Sequence, residues 1–184
     1  MTKTVLEPRV AILMGSDSDL AAMSHAARIL ERFDVPYELE ITSAHRSPER
    51  TVEIVRRAQE RGTGVFIVGA GGAAHLAGVV AAHTHRPVLG VPLASSDLGG
   101  LDALLATVQM PGGVPVGTLA IGAAGATNAA LLACAILALS DPGLDERLVA
   151  YRAEMAAAVE SKSKAAKADL RSLLDPEAAR RKGN

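Results

Sequence analysis

Aromatic residues and cysteine are scarce in this chain, and each shortage excludes a class of function. Aromatics make up 2% of the 184 residues and none is tryptophan, which argues against a surface on which single-stranded nucleic acid stacks its bases. The single cysteine, Cys134, can form neither an internal disulfide nor a cysteine-based zinc site. We expect Cys134 to be a small core residue.

Net charge and long apolar runs are also lacking. The formal net charge is −1, so no overall basic field attracts nucleic acid or an anionic membrane, and an anionic ligand must be held by local donors. No apolar run reaches the roughly 20 residues that a membrane span needs. The first residues lack the apolar core of a signal peptide. We therefore expect a cytosolic protein with neither nucleic acid nor a membrane as its partner.

Hydrophobic residues, at 49% of the chain, alternate between strand-like runs and helical spacing, which predicts an α/β fold with a parallel sheet in one domain over residues 1–184. The predicted strands are Arg9–Met14, Tyr37–Thr42, Val65–Val68, Pro87–Pro92 and Val116–Ile121. The predicted helices are Leu20–Phe33, Thr51–Arg61, Leu76–Ala82, Asp97–Val108, Ala123–Leu139 and Leu144–Leu174.

Two features at the C-terminal end point beyond a single subunit. The helix Ala123–Leu139 has no clear polar face, which predicts burial against another subunit. From about residue 142 the chain forms a charged amphipathic helix that is longer than one domain needs, followed by a frayed tail from Pro176. We therefore expect an oligomer.

The segment Ser43–Arg50 joins the second predicted strand to the second helix. Pro48 fits the first turn of that helix, with Ser47 as its N-cap. Loops of this kind line the ligand crevice of an open α/β sheet. His45 can exchange protons near neutral pH, and Arg46 can hold a phosphate or carboxylate through its planar fork. The alternative is a surface loop with a polar histidine and a solvated arginine.

The segment Gly15–Asp19 follows the first strand and combines two hydroxyls, two carboxylates and a helix N-terminus. Free backbone N–H groups there can bind an anion, and an aspartate suits the hydroxyls of a ribose. The alternative is that Ser16 or Asp17 simply caps the helix. Because capping needs only one of these residues, the surplus favours ligand binding.

The glycine-rich segment Gly69–Leu76 comes close to a dinucleotide-binding pattern. We discount that interpretation because the segment does not follow the first strand and no acidic residue ends the next one. The alternative is bare backbone that approaches a small planar ligand, with His75 either touching that ligand or capping the next helix. His83 and His85 favour a solvated turn over a metal site, because no third ligand stands at a suitable spacing.

Four motifs in this order closely resemble those of the bacterial N5-carboxyaminoimidazole ribonucleotide mutases, the PurE family of purine biosynthesis. The motifs are residues 15–19, 43–48, 69–76, and 109–111 with 115–120, and the resemblance runs from about Val10 to Leu139. It implies a flavodoxin-like three-layer αβα sandwich and a homo-octamer with pockets at subunit contacts. It also implies a reaction without metal or other cofactor, in which carbon dioxide leaves N5 of a nucleotide and rejoins it at C4.

The resemblance also assigns roles to single residues. It makes His45 the catalytic acid and base, while Gly71 and Gly72 face the imidazole and the migrating carbon dioxide. The substrate-binding residues that it further implies are Ser16, Ser18, Asp19, Ser43 and Arg46 for ribose and phosphate, together with Ala44, His75 and Leu76. A related animal-type branch, which carboxylates aminoimidazole ribonucleotide directly, usually has lysine in place of Arg46, so this chain resembles the mutases.

The chain departs from the family pattern at Ala77 and Gly112, and Gly112 bears on how the loop Gln109–Val114 closes the site. Two rival functions remain for the same fold: a flavin or nucleotide carrier, and a phosphosugar isomerase that uses His45 on a sugar. The low aromatic content argues against a stacked flavin.

Overall fold

The structure is a computed structural model that describes residues 7–174, except for the side chain of Ser172. The predicted frayed tail from Pro176 lies outside the described residues. Contacts divide the chain into two compact units, the first ending at Asp141 and the second beginning at Pro142. That the whole chain forms one domain stays a prediction.

The first unit contains a five-stranded sheet whose strands pair in parallel in the order β2-β1-β3-β4-β5. Its strands are β1 Val10–Met14, β2 Tyr37–Ile41, β3 Val65–Gly71, β4 Val88–Leu93 and β5 Gly117–Thr118. Its helices are α1 Leu20–Arg32, α2 Pro48–Glu60, α3 Leu76–Ala82, α4 Leu101–Val108 and α5 Ala123–Ala138, with a 3-10 turn at Asp17–Asp19. This strand order is that of flavodoxin-like proteins, so the predicted fold class is confirmed.

Side chains of the central strands are buried on both faces of the sheet, which is why these strands are apolar runs. On one face, Ala11, Leu13, Phe66 and Val68 belong to a buried cluster with residues of α2, α3 and α4. Side chains alternate along a strand, so the intervening residues point to the other face, where α1 and α5 pack together and contact the sheet. Three layers result. Cys134, on α5, is fully buried, as predicted.

The fifth strand is much shorter than the predicted Val116–Ile121, and Pro92 explains where it ends. The Leu119 N–H still donates to the Gly90 carbonyl at 2.9 Å. The next bond of a parallel ladder would need an N–H at residue 92. Proline has none, so regular pairing stops, although the Gly122 N–H later reaches the Pro92 carbonyl at 2.8 Å.

The fourth helix begins at Leu101, and the predicted start at Asp97 is wrong. Gly99 and Gly100 have φ angles of 60° and 88°, which lie in the left-handed region and cannot continue a right-handed helix. In the second unit, the described residues form α6, Pro142–Leu174, which agrees with the predicted long helix. Within the described part of the chain, no helix combines the length and apolarity that crossing a membrane requires.

Candidate active site

A cleft of about 300 Å³ opens at the carboxyl ends of the parallel strands. It is lined by Gly15, Ser16, Ser18, Asp19, Ser43, Ala44, His45, Arg46, Ala70, Gly71, Ala73, Leu76 and Ser95. These residues lie at the end of β3, at the start of α3 and in the segments that follow β1, β2, β3 and β4. The chain passes from β1 to β2 on one side and to β3 on the other, so the flanking loops diverge there and leave a crevice. Its volume is at the lower end for small-molecule sites.

The segment after β1 is a tight turn whose polar groups bond to one another. The Ser16 hydroxyl donates to Asp17 Oδ1 at 2.9 Å and accepts from the Ser18 N–H at 3.4 Å. That hydrogen bond from Ser16 is the main cause that lowers the pKa of Asp17. Ser16 thus does cap the turn, while the Ser18 hydroxyl bonds to none of the residues that the structure describes. Ser18 therefore has a hydroxyl available in the cleft.

Asp19 is a carboxylate held almost out of water at the floor of the cleft. Only 7% of the residue is exposed, and this burial raises its pKa, against the opposing effect of the Ser16 and Gly15 backbone N–H groups. The Ser16 N–H donates to Asp19 Oδ2 at 3.0 Å. A buried carboxylate with few partners is a strong acceptor for ligand hydroxyls.

The segment after β2 is held in shape by Ser47 and Ser43. The Ser47 hydroxyl accepts from the Ser43 N–H at 3.1 Å and lies 3.2 Å from the Ser43 carbonyl, to which it can donate. Ser47 takes the predicted N-cap position of α2, although its side chain makes no capping bond, and Pro48 occupies the first helical turn. The closed loop presents Ala44, His45 and Arg46 to the cleft.

Arg46 joins the two loops across the cleft. Its Nη2 donates to the Gly15 carbonyl at 3.2 Å, and its backbone N–H donates to the Ser43 hydroxyl at 3.1 Å. The side chain remains exposed, and a guanidinium carries five N–H donors. Donors therefore remain for an anion placed between the Gly15 and Ser43 segments.

His45 and His75 contact each other at the edge of the cleft. His45 Nε2 lies 2.8 Å from His75 Nδ1, and the rings meet edge to face with centroids 5.0 Å apart. His75 takes the N-cap position of α3, in line with the capping alternative, but its side chain makes no capping bond. Neither His75 nor Gly72 lines the cleft itself. His75 is thus connected to the cleft by its hydrogen bond to His45, which does line it.

Gly71 and Ser95 meet at the opposite wall. A Cβ at Gly71 would lie 1.9 Å from Ser95 Oγ, so glycine is needed here to make room for the serine. Sequence reasoning missed Ser95, whereas Gly15, Ala70 and Ala73 of the lining lie in segments that it named without giving these residues a role. The available signal was position, because Ser95 is the first polar residue after β4 and thus lies at the same edge as the other loops.

The loop Gln109–Val114 does not close the cleft within this subunit. It precedes β5, and Gly117 of β5 pairs with Leu89 near the start of β4, so the loop lies at the amino ends of the strands. Gly113 and Val114 there line a separate cavity of about 670 Å³, together with His85. Within residues 7–174, no three His, Cys, Asp or Glu side chains are grouped to hold a metal ion.

The strand order and the cleft together define a flavodoxin-like α/β protein with a small-molecule site at its topological switch point. A family model described as AIR carboxylase matches residues 9–158. The chain therefore belongs to the AIR carboxylase family, and the predicted family resemblance is confirmed.

The similar proteins agree with this assignment. An N5-carboxyaminoimidazole ribonucleotide mutase from Pyrococcus horikoshii is 56% identical over 158 residues, which is 86% of this chain and 88% of that protein. One from Escherichia coli is 56% identical over 144 residues, or 78% of this chain and 85% of that protein. The crystal structure of Treponema denticola PurE has a TM-score of 0.76 at 29% identity and covers 85% of this chain and 98% of that one. The prediction that the chain is an enzyme of this family is confirmed.

Proposed function

We propose that this protein is a cofactor-free mutase of purine biosynthesis that moves the carboxylate of N5-carboxyaminoimidazole ribonucleotide from N5 to C4. The observation that carries the proposal is the position of His45, in one cleft with the donors of Arg46 and Ser43 on one side and Gly71 on the other. The choice of substrate is supported by the names of the relatives and by their 56% sequence identity to this chain.

The polar side of the cleft suits the ribose phosphate. Arg46, Ser43 and Ser18 offer donors to a phosphate, and a planar guanidinium binds phosphate oxygens in pairs. The Asp19 carboxylate accepts from ribose hydroxyls. Held in this way, the nucleotide directs its imidazole towards Gly71 and His45, and this positioning supplies part of the rate.

His45 acts in both halves of the reaction. As an imidazolium it gives a proton to N5 of the carbamate, the N–C bond breaks with its electron pair staying on nitrogen, and carbon dioxide is released. C4 then attacks the carbon of carbon dioxide, and neutral His45 removes the C4 proton, which regenerates the imidazolium. Atoms and charges balance over the cycle, so one histidine suffices as acid and base.

His75 orients His45 in this scheme. With 2.8 Å between the two ring nitrogens, one of them donates and the other accepts, which fixes the plane of the His45 ring. A held ring presents its other nitrogen to the substrate in a constant direction. His75 is thus a positioning residue, and its contact with substrate stays a prediction, as do the contacts of Gly72.

The decisive assay follows purified protein with N5-carboxyaminoimidazole ribonucleotide in a buffer containing a chelator and no ATP. We expect conversion to the C4-carboxylated ribonucleotide. A parallel reaction supplies aminoimidazole ribonucleotide with bicarbonate, the substrates of a direct carboxylase. Turnover in the second reaction and none in the first would replace the mutase by a carboxylase. Turnover in neither would return a phosphosugar isomerase to consideration. The cytosolic location stays a prediction.

A further inference from the structure

Ser95 is one of two cleft serines, with Ser18, whose hydroxyl groups make no hydrogen bond within the described part of the chain. The Ser16 hydroxyl donates to Asp17, and the Ser43 hydroxyl accepts from the Arg46 N–H. The Ser95 hydroxyl makes no hydrogen bond to any residue of the described part of the chain, although its N–H donates to the Leu93 carbonyl at 3.1 Å. The Ser95 O–H donor is thus available in the cleft, with no acceptor for it among residues 7–174.

The backbone directs this hydroxyl to one place. Leu93, the last residue of β4, pairs with Gly71, the last residue of β3, and the turn after Leu93 brings Ser95 back over Gly71. The hydroxyl oxygen fills the space that a Gly71 side chain would take, 1.9 Å from its Cβ position. Gly71 does not have a positive φ, so the contact with Ser95, and not the backbone conformation, requires glycine.

Ser95 also lies at a boundary between two cavities. Like Ser18 and Asp19, it lines both the cleft and a neighbouring cavity of about 490 Å³, whose other residues include Leu93, Ala94 and Gly122. On the other side of the cleft, Arg46 and Ser43 provide the donors for the phosphate. In the proposed mutase, where Arg46 and Ser43 hold the phosphate, the wall at Gly71 and Ser95 is left for the non-phosphate end of the nucleotide.

We propose that the Ser95 hydroxyl binds the oxygens of the migrating carboxyl group and keeps carbon dioxide beside the imidazole between the two half-reactions. This inference rests on the proposed mutase function. The group has two oxygens in the carbamate, in carbon dioxide and in the C4 carboxylate, so one donor can stay bonded throughout. Hydrogen bonds to a carboxylate are stronger than those between neutral groups. Ser95 forms no covalent bond, and the proton balance remains that of His45.

The test measures where the carbon dioxide goes. In a mutase some turnovers fail, because carbon dioxide escapes and aminoimidazole ribonucleotide is left. In Ser95→Ala we expect the share of N5-carboxyaminoimidazole ribonucleotide that ends as aminoimidazole ribonucleotide to rise about 2- to 10-fold, the range for one lost hydrogen bond. The Kd for the substrate should rise by no more than the same factor, since the phosphate and ribose contacts remain. Ser95→Cys, which keeps a weak donor, should lie between Ser95→Ala and the original protein.

Ser96→Ala is the matched control. Ser96 lies next in the chain, but its hydroxyl donates to Asp102 Oδ2 at 2.7 Å and accepts from the Leu98 N–H at 3.2 Å, and it does not line the cleft. In Ser96→Ala, the share of substrate that ends as aminoimidazole ribonucleotide should equal that in the original protein. If Ser95→Ala releases no more carbon dioxide than Ser96→Ala while the original protein interconverts the two ribonucleotides, the inference is wrong and the mutase function stands. If the original protein does not interconvert them, both fail.

Discussion

His45 Nε2 lies 2.8 Å from His75 Nδ1, which makes two histidines 30 residues apart in sequence a hydrogen-bonded pair. The pair is built by two separate devices. Ser47 and Ser43 close the loop that carries His45, and the start of α3 carries His75. The hydrogen bond to His75 restricts rotation of the His45 ring. A group that gives a proton to one nitrogen of the substrate needs such a constant orientation.

Loss of the His75 ring should reduce turnover more than it reduces binding. We expect His75→Ala to lower kcat about 2- to 10-fold, the usual range for one hydrogen bond, with little change in the Kd for substrate. His75→Asn, which keeps a polar group of smaller reach, should recover part of the rate. Steady-state kinetics and calorimetry on the three proteins measure this. A rise in Kd with unchanged kcat would make His75 a binding residue instead.

Replacement of His45 should remove proton transfer and leave the fold intact. His45→Asn cannot exchange a proton near neutral pH, so we expect kcat to fall by about 10²- to 10⁴-fold, or further because both half-reactions use this residue. Ligand binding should persist through Arg46 and Asp19. Turnover close to normal would remove His45 from the mechanism and direct attention to His75. A loss of folding in thermal melts would make its role structural.

Arg46 should matter chiefly for the phosphate. Arg46→Ala removes a charged donor, and we expect the Kd for the ribonucleotide to rise about 10- to 100-fold. Arg46→Lys should restore only part of the affinity, since an ammonium cannot donate in a planar pair. The comparison with the nucleoside is the sharpest readout, because its binding should hardly respond to either change. Equal losses for nucleotide and nucleoside would contradict a phosphate contact.

Asp19 should trade stability for binding. Burial raises the pKa of Asp19 above its ordinary value of 3.8. Asp19 therefore contributes its full stability at a pH below the pKa that it has in the unfolded chain, and this contribution is lost as the pH rises through its pKa in the folded protein. At neutral pH the buried charge therefore destabilises the fold. We expect Asp19→Asn to melt at a higher temperature at pH 7, an advantage that shrinks towards pH 4, and to bind substrate about 10-fold or more weakly because a carboxylate acceptor is lost.

Asp17→Asn is the control with the opposite sign. The pKa of Asp17 is lowered, mainly by the hydrogen bond from the Ser16 hydroxyl. Its contribution to stability is therefore present at a pH above its pKa in the unfolded chain, and it is lost as the pH falls through its pKa in the folded protein. Asp17→Asn should thus be less stable at pH 7 and equal near pH 2. If the melting temperatures of both variants changed with pH in the same direction relative to the original protein, burial would not be what sets the pKa of Asp19.

The fold was predictable because its signals are local. Buried strands read as apolar runs, and loops after them carry the polar residues that the cleft collects. What failed depends on contacts between distant segments. The short β5 results from Pro92 on the neighbouring strand, and the His45–His75 pair spans two loops. Ser95 was missed because the glycine opposite it was interpreted as an approach for ligand alone. The late start of α4 depends on the φ angles of Gly99 and Gly100, and the presence of two glycines in the sequence does not by itself determine these angles.

Apolar side chains left at the surface predict an assembly, and α4 gives the clearest test. Leu101, Leu105 and Val108 recur at helical spacing and are 54%, 50% and 47% exposed, and Leu132 on α5 and Leu139 directly after it are 41% and 88% exposed. An exposed apolar stripe of this kind marks an interaction surface. The prediction that α5 is covered by another subunit, and the octamer implied by family resemblance, can therefore be tested by light scattering, with an expected mass of eight subunits of 18.9 kDa.

Leu105→Glu should split that assembly, because the interface would have to bury an unpaired charge. Val52→Glu is the matched control: Val52 is a 37% exposed apolar residue on α2, and the same change there should leave the mass unaltered. We expect Leu105→Glu to give smaller species and, since pockets at subunit contacts are implied, less turnover. A monomeric original protein with full activity would show that the exposed stripe is not a subunit interface, and loss of the native melting transition in Leu105→Glu would direct the test to Leu105→Ser instead.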